Sequence, residues 1–363
     1  MNPPLIEIRD LTVRRGGRSA LHIPYLALHE GTILSVIGPN GAGKSTLLLA
    51  IMRLIKPTSG EIRFRGQALP TAGLQRYRRR IGLVLQEPLL FTSTVRANVA
   101  AGLAIRGESR KKTERAVRRA MDLLEISHLA DRRASSLSGG EAQRVSIARA
   151  IAPQPELLLM DEPFSSLDAP TRDTLIEDLE RIARIEGMSL IFATHDRDEA
   201  IRLSDEILVM NNGRIAQRGT PHEITRCPAD EFVASFMGTD TILTGTVTDS
   251  SGGTMTVSVN GVAVEAVGEA PQGAAATLCV HPDSIVLSPA PSATSARNVF
   301  HGRIIKVAPF GFVRKIHVDC GFTLVASVTN RSCEELGIAE GMEIAAAFKA
   351  TAVHVIKITQ QSD

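Results

Sequence analysis

Residues Gly38-Pro-Asn-Gly-Ala-Gly-Lys-Ser-Thr46 leave few folds open around them. Their spacing is G-x-x-x-x-G-K-[ST], in which glycines let successive backbone N–H groups curl around phosphate oxygens. The apolar run Thr32–Ile37 leads in as a strand, and Lys44–Ile55 leads out as a helix stopped by Pro57 and Gly60. A helix starting at the loop directs the positive end of its dipole at the same anion. Lys44 is then placed to reach the β- and γ-phosphates of a nucleoside triphosphate, and Ser45 to put its hydroxyl on Mg²⁺. Gly38, Pro39, Asn40, Gly41, Ala42, Gly43 and Thr46 complete the cradle.

The residues up to about Asp240 fit an α/β domain around that loop. Ile81–Leu85, Leu157–Met160, Leu190–Ala193 and Ile207–Met210 are short apolar runs between amphipathic helical stretches, the pattern of a mainly parallel sheet. Asn212-Gly213, between Ile207–Met210 and Arg214–Gln217, reads as a tight hairpin. Leu157-Leu-Leu-Met-Asp161 is an apolar strand ending in a carboxylate, and Glu162 follows at once. Downstream of a phosphate loop, Asp161 would orient Mg²⁺, directly or through water, and Glu162 would stand beside the attacking water.

After Asp240 the alternation becomes period two, and Thr, Val, Ser and Gly dominate. Gly245-Thr-Val-Thr and Thr254–Val259 read as strands around Gly252-Gly253. Arg303–Val307, Val313–Val318 and Thr323–Val328 read as further strands beyond a linker at Ser288–Ser295. Leu278–Leu287 (LCVHPDSIVL) and Ala346–Ile356 (AAFKATAVHVI) each come near the end of a block opened by Gly-x-[Val/Ile], at Gly245 and Gly302. This weak repeat predicts two similar all-β units. The expected division is 1–238 with a helical insert at about 88–150, then 239–290 and 291–363.

Composition mainly excludes. A net charge of +2 over 363 residues gives no reason to expect a nucleic-acid partner, and the basic runs Arg76–Arg80 and Arg110–Lys112 read as solvated helix faces. Cys227, Cys279, Cys320 and Cys333 show no CxxC spacing and read as reduced thiols of a cytoplasmic protein. Charged residues precede any apolar run, so no signal peptide is expected. No apolar stretch reaches the ~18–20 residues that span a bilayer. If the chain serves transport, another subunit supplies the pore.

Leu137-Ser-Gly-Gly-Glu141 followed by Gln143-Arg144 resembles the signature of the ABC ATPases. Gln86 in Leu85-Gln-Glu-Pro88 resembles the family's Q-loop, Ser166-Leu-Asp168 its D-loop, and His195 in Ala193-Thr-His-Asp196 its switch histidine. The motifs occur in family order, and the resemblance covers residues 5–235. It implies a P-loop ATPase of ATP and Mg²⁺ whose two copies face head to tail. Ser138, Gly139 and Gly140 of one copy would then meet the γ-phosphate held by the other, and Asp168 of the D-loop counts among the nucleotide-binding residues. It also implies Glu162 as general base, His195 as γ-phosphate sensor, and Gln86 as the link between Mg²⁺ and a membrane permease. One position departs from the pattern. Where the family carries an aromatic that stacks on adenine, this chain reads Arg14-Arg15-Gly16. Either Arg15 stacks its guanidinium plane on the base or it is solvent-exposed and adenine is held weakly.

Residues 295–358 resemble the molybdate/tungstate-binding (Mop/TOBE-type) module, an OB-like all-β domain. The likeness rests on Ser295-Ala-Arg-Asn298, Val328-Thr-Asn-Arg-Ser332 with Glu335-Leu-Gly337, and Phe348-Lys-Ala-Thr351. Gly16-Gly17, Ile23-Pro24 and Ser138–Gln143 are similar to tungstate-importer ATPases. Ser295, Arg297 and Lys349 bring a hydroxyl and two cations, which suit an oxyanion. The tail otherwise only dimerises or senses another ligand. The resemblance thus implies the ATPase of a molybdate or tungstate importer, peripheral on the cytoplasmic face of the membrane. It would serve a permease and, indirectly, a solute-binding protein. Sulfate, iron(III), polyamine and sugar importers are the alternatives. A soluble ABC ATPase of DNA or ribosomes fits less well with the balanced charge, the lack of a long heptad insertion and the single P-loop.

Overall fold

The computed structural model describes residues 3–16, 18–70, 72–289 and 295–359. They divide into two compact units, Met1–Pro221 and His222–Asp363. The first unit opens with β1 (Ile6–Arg15), β2 (Arg18–Leu28), β3 (Ile33–Ile37), α1 (Lys44–Ile51), β4 (Ser59–Phe64), β5 (Gln67–Ala68), α2 (Gln75–Arg78) and β6 (Ile81–Val84). The helices α3 (Val95–Ile105), α4 (Arg110–Leu123) and α5 (Gly139–Ile151) follow. Then come β7 (Leu157–Asp161), α6 (Ala169–Glu186), β8 (Ser189–Thr194), α7 (Arg197–Leu203) and the hairpin β9 (Glu206–Asn211)–β10 (Arg214–Gly219).

The expected parallel sheet runs in the order β10-β9-β3-β8-β7-β6, with only β10 antiparallel. Its central strands are apolar throughout because both faces are covered. Period two sorts their side chains. Leu158, Met160, Leu190 and Phe192 enter the core shared with α3–α6, whereas Leu157, Leu159, Ile191 and Ala193 enter the core around α1. That second core is closed by an antiparallel sheet, β2-β1-β4-β5, which the sequence reading did not foresee. The helix expected to reach Ile55 stops at Ile51.

Close backbone approaches lock the phosphate loop between these layers. Gly213 N–H donates to Ala42 O (2.9 Å) and Gly213 O accepts from His22 N–H (2.7 Å). Gly213 sits at φ +75° in the β9–β10 turn, and a Cβ there would stand 2.6 Å from Ala20 O. A Cβ on Gly38, at φ +153°, would stand 2.3 Å from Met210 O. Both glycines are therefore demanded by close backbone passage as well as by φ.

In the second unit two short helices, α8 (Pro221–Arg226, which begins at the division) and α9 (Glu231–Phe236), precede the strands. The expected boundary at 238/239 lies after them. The strands β11 (Thr241–Ser251), β12 (Thr254–Val259), β13 (Val262–Val267), β14 (Ala275–Val280) and β15 (Val286–Ser288) come first. After them come β16 (Asn298–Phe310), β17 (Val313–Asp319), β18 (Thr323–Thr329), α10 (Asn330–Glu335), β19 (Glu343–Phe348) and β20 (Val353–Thr359). Part of the expected linker, 290–294, lies outside the described residues.

The repeat read in the sequence corresponds to β14, a 3₁₀ turn and β15, matched by β19, a 3₁₀ turn and β20. The final strands cross over. One sheet is β13-β12-β11-β14-β20 and the other β15-β19-β16-β17-β18. The expected units 239–290 and 291–363 therefore exchange their last strands, and both sheets contribute to one apolar core. The two long strands begin with equivalent clasps. Thr241 Oγ1 accepts from Val325 N–H (2.9 Å). Asn298, 2% exposed, accepts from Glu265 N–H (2.8 Å) and donates to Glu265 O (2.9 Å). Asn298→Ala strands that N–H and C=O. It should cost the second unit about 2 kcal/mol, near the middle of the range for unmade buried hydrogen bonds. Denaturant unfolding checks this, and a change below about 0.5 kcal/mol, the size of a neutral surface substitution, contradicts it.

Candidate functional site

The site forms where β3, β7 and β8 end. β3 stops at Ile37 and α1 starts at Lys44, so the intervening loop turns at the carboxyl edge of the sheet. Gly41 and Gly43 take φ +82° and +103° there. Lys44 is 6% exposed and folds back to donate to Gly38 O (2.7 Å) and Pro39 O (3.2 Å). Its burial pushes the ammonium pKa down, opposed by Glu162 and Asp161. Phosphate oxygens offered to this ammonium would replace loop carbonyls with full charges, a stronger partnership.

Ser45 Oγ donates to Asp161 Oδ1 at 3.0 Å, across the gap between α1 and the end of β7. Burial raises the Asp161 carboxyl above its usual range; the Ser45 bond opposes this, and Glu162 adds to it. A hydroxyl and a desolvated carboxylate side by side suit a hard divalent cation that keeps water and phosphate as its other ligands, as Mg²⁺ does. Among the described residues, no group of three or more His, Cys, Asp or Glu could hold a metal alone. The donor set thus fits a cation brought in with the triphosphate.

Glu162 takes φ +45°, a left-handed conformation uncommon for a long side chain. Its N–H donates to Ala193 O (2.9 Å), which ties it to the neighbouring strand β8. Its Oε2 lies 3.0 Å from Nδ1 of His195, the first residue after β8. His195 is 57% exposed against 15% for Glu162, so the carboxylate sits behind an imidazole that faces outward. Gln86 is exposed just past β6, whose Val84 pairs with Met160 of β7, so it lies on the same sheet edge as Asp161.

The other sequence-derived residues sit on helix starts and a hairpin. Ser138 is the N-cap of α5, with Gly139 and Gly140 as its first turn. Ser138 Oγ accepts from Glu141 N–H (3.3 Å) and Glu141 accepts from Ser138 N–H (2.7 Å), a capping box that lowers the Glu141 carboxyl pKa. This leaves an exposed serine on a positive helix end. Asp168 is the N-cap of α6, and Thr171 holds its carboxyl below the usual range. Arg15 is exposed at the tip of the β1–β2 hairpin, whose second arm lies against the loop at Ala20.

Arg172 and Glu199, which the motifs do not single out, also lie near this edge and contact Asp196 and Thr194. Asp196 and Glu199 are three apart, the spacing of a capping box, and Asp196 does cap α7. Glu199 instead turns inward to Thr194. In the second unit, Ser295 and Lys349 line one cavity of about 360 Å³ with Ser288, Val299 and Phe348. Arg297 is exposed and is not among the residues lining it.

Comparison with known families matches residues 21–165 to the ABC transporter family and residues 294–355 to the TOBE domain. A Streptomyces avermitilis protein, named as the ATP-binding protein of Fe(3+) ion import, is 43% identical over 67% of this chain and 70% of its own length. A Pyrococcus horikoshii protein, named as the ATP-binding protein of molybdate/tungstate import, is 37% identical over 90% of this chain and 93% of its own. A solved dimeric ATP-binding cassette, bound to ADP and Pi after hydrolysis, superposes with TM-score 0.54 and 29% identity. It covers 60% of this chain and 98% of that one.

Lys44→Ala removes the loop's buried cation. Triphosphate affinity should fall at least ~100-fold, the scale of a lost charge-assisted contact to phosphate. Equilibrium titration checks this, and affinity within twofold of wild type contradicts it.

Proposed function

The chain belongs to the ATP-binding subunits of ABC importers, and from that premise we propose that it drives molybdate or tungstate uptake by ATP-dependent closure of a head-to-tail dimer beneath a membrane permease. The observation that carries the catalytic reading is the convergence of Ser45–Asp161 (3.0 Å) and Glu162–His195 (3.0 Å) at the mouth of one phosphate loop. Ser45 and Asp161 would hold Mg²⁺, which would neutralise phosphate charge when bound, and Gln86 at the same edge would be the link to the permease. Glu162 accepts the proton of the attacking water, and His195 senses the γ-phosphate. The capped start of α5 supports completion in trans. Ser138, Gly139 and Gly140 offer a hydroxyl, N–H groups and a helix dipole to the γ-phosphate of the facing chain. Asp168 lies at the junction, and Arg15 packs its guanidinium plane on adenine.

No helix among the described residues is long and apolar enough to cross a membrane. The relatives named as import ATP-binding proteins support a peripheral subunit on the cytoplasmic face that borrows its pore and meets the solute-binding protein only through the permease. The cargo reading is supported by the molybdate/tungstate relative, which spans most of the chain, and by the TOBE match over residues 294–355. The cavity shared by Ser295 and Lys349 supports an oxyanion there, with Arg297 supplying long-range charge. The iron(III)-import relative supports the second reading, in which the cargo is iron.

Glu162→Gln keeps shape and removes the base. It should bind ATP normally and turn over at least ~100-fold more slowly, the low end for general-base loss. A phosphate-release assay reads this, and near-wild-type turnover means that another group activates water. Calorimetric titration of the full chain with tungstate, molybdate and sulfate decides the cargo reading. Saturable tungstate or molybdate binding that weakens in Lys349→Ala is expected, and no binding at millimolar oxyanion contradicts it.

A further inference from the structure

Behind the Glu162–His195 pair lies a second polar cluster. Thr194 Oγ1 donates to Glu199 Oε2 (2.5 Å) and accepts from Asp196 N–H (3.0 Å). One hydroxyl thus joins the backbone just after His195 to the Glu199 carboxylate. Glu199 is 5% exposed and lies in the first turn of α7. Arg172, near the start of α6, reaches the same place. Its Nη2 donates to Leu167 O (3.3 Å) and its Nη1 to Asp196 Oδ2 (3.4 Å). Its own amide donates to Asp168 O (2.9 Å). Its Nε is buried without a hydrogen-bond partner and stops 3.9 Å from Glu199 Oε1.

A buried guanidinium N–H left unpaired is costly, and a buried carboxylate beside it is its natural acceptor. An N–H···O bond closes at about 2.9–3.0 Å, so a movement of roughly 1 Å would complete this one. The two groups belong to different segments. Arg172 is fastened to Leu167 and Asp168, which precede α6. Glu199 is fastened through Thr194 to the turn carrying His195.

We propose that Arg172 and Glu199 are a positioning pair for hydrolysis, whose hydrogen bond closes when the facing chain presses on Ser166–Asp168 and thereby fixes the His195 turn against Glu162. The proposal rests on the reading of Glu162 as base and His195 as sensor. It gives the trans contact a physical route to the water-activating group.

The charge state sets when the pair can form. Burial raises the Glu199 carboxyl to about 7; Asp196 adds to the rise, while the Thr194 bond, Arg172 and His195 oppose it. Of these, Arg172 comes from α6, Asp196 caps α7, and Thr194 and His195 lead into that cap. Below that pH the carboxyl is protonated and neutral, and the charge-assisted bond to Arg172 is absent. Above it the carboxylate pairs. Hydrolysis should therefore rise through pH about 7 and then level.

The test is steady-state Mg-ATP hydrolysis by the purified full-length chain across that range. Glu199→Gln keeps an acceptor for Thr194 but has no charge. Its kcat should fall about 10-fold, within the cost of a misplaced catalytic group, with KM within twofold and the limb near pH 7 gone. Arg172→Gln should show the same fall in kcat and also lose the limb, because the ionised Glu199 then has no cation to pair with. The double variant should be about as slow as either single one. A limb that survives in Glu199→Gln, or single effects that multiply in the double variant, overturns the pair. If Glu199→Gln does not fold, Arg172→Gln decides, and a limb near pH 7 that persists there overturns the proposal. Glu162→Gln separates the two levels. Wild-type turnover there means that the underlying reading has failed. An inactive Glu162→Gln beside an unaltered Glu199→Gln means that only the positioning pair has.

Discussion

Backbone passing against backbone at the phosphate loop governs the rest of the first unit. Gly213 threads between Ala42 and His22, and Gly38 lies on Met210 O with no room for a Cβ. The β1–β2 sheet, the loop and the β9–β10 hairpin are thereby locked together. This is why a loop with few side chains of its own can hold a fixed curl of N–H groups. A cradle of this kind binds charge with little reorganisation, which is where electrostatic stabilisation gains its strength.

Around the cradle, the charged and polar side chains rest on one another and on the backbone. Lys44 rests on its own loop's carbonyls, Ser45 on Asp161, and Ser138 on its own helix. Asp161 and Glu199 are carboxyls raised by burial, and Arg172 has a donor one ångström short of an acceptor. On the proposed reading, each of these would gain a stronger partner from triphosphate, cation or a second chain. A site whose groups improve their partners on closure converts binding energy into positioning, the main resource available for phosphoryl transfer.

Much of this was legible in the sequence because it depends on local pattern. The buried parallel strands read as apolar runs, the loop as fixed glycine spacing, and Asn212-Gly213 as a turn in which both residues take positive φ. The β1–β2–β4 sheet was not legible. Its strands are long and mix charge with apolar residues, as in Ile6-Glu-Ile-Arg-Asp, and only packing on α1 defines their buried face. The tail's repeat was visible, but its exchange of last strands was not, since pairing partners leave no trace in one chain's alternation. Glu199 was hidden for a related reason. Its spacing from Asp196 suggests a helix cap, and only the fold turns it towards Thr194 and Arg172.

The central claim is that the nucleotide site is completed by a second chain. Its most direct measurement is the hydrolysis rate per chain as a function of chain concentration at saturating Mg-ATP. Completion in trans predicts a rate per chain that rises with concentration and saturates as dimers form. A rate per chain that stays constant down to concentrations where light scattering finds only monomers would contradict it.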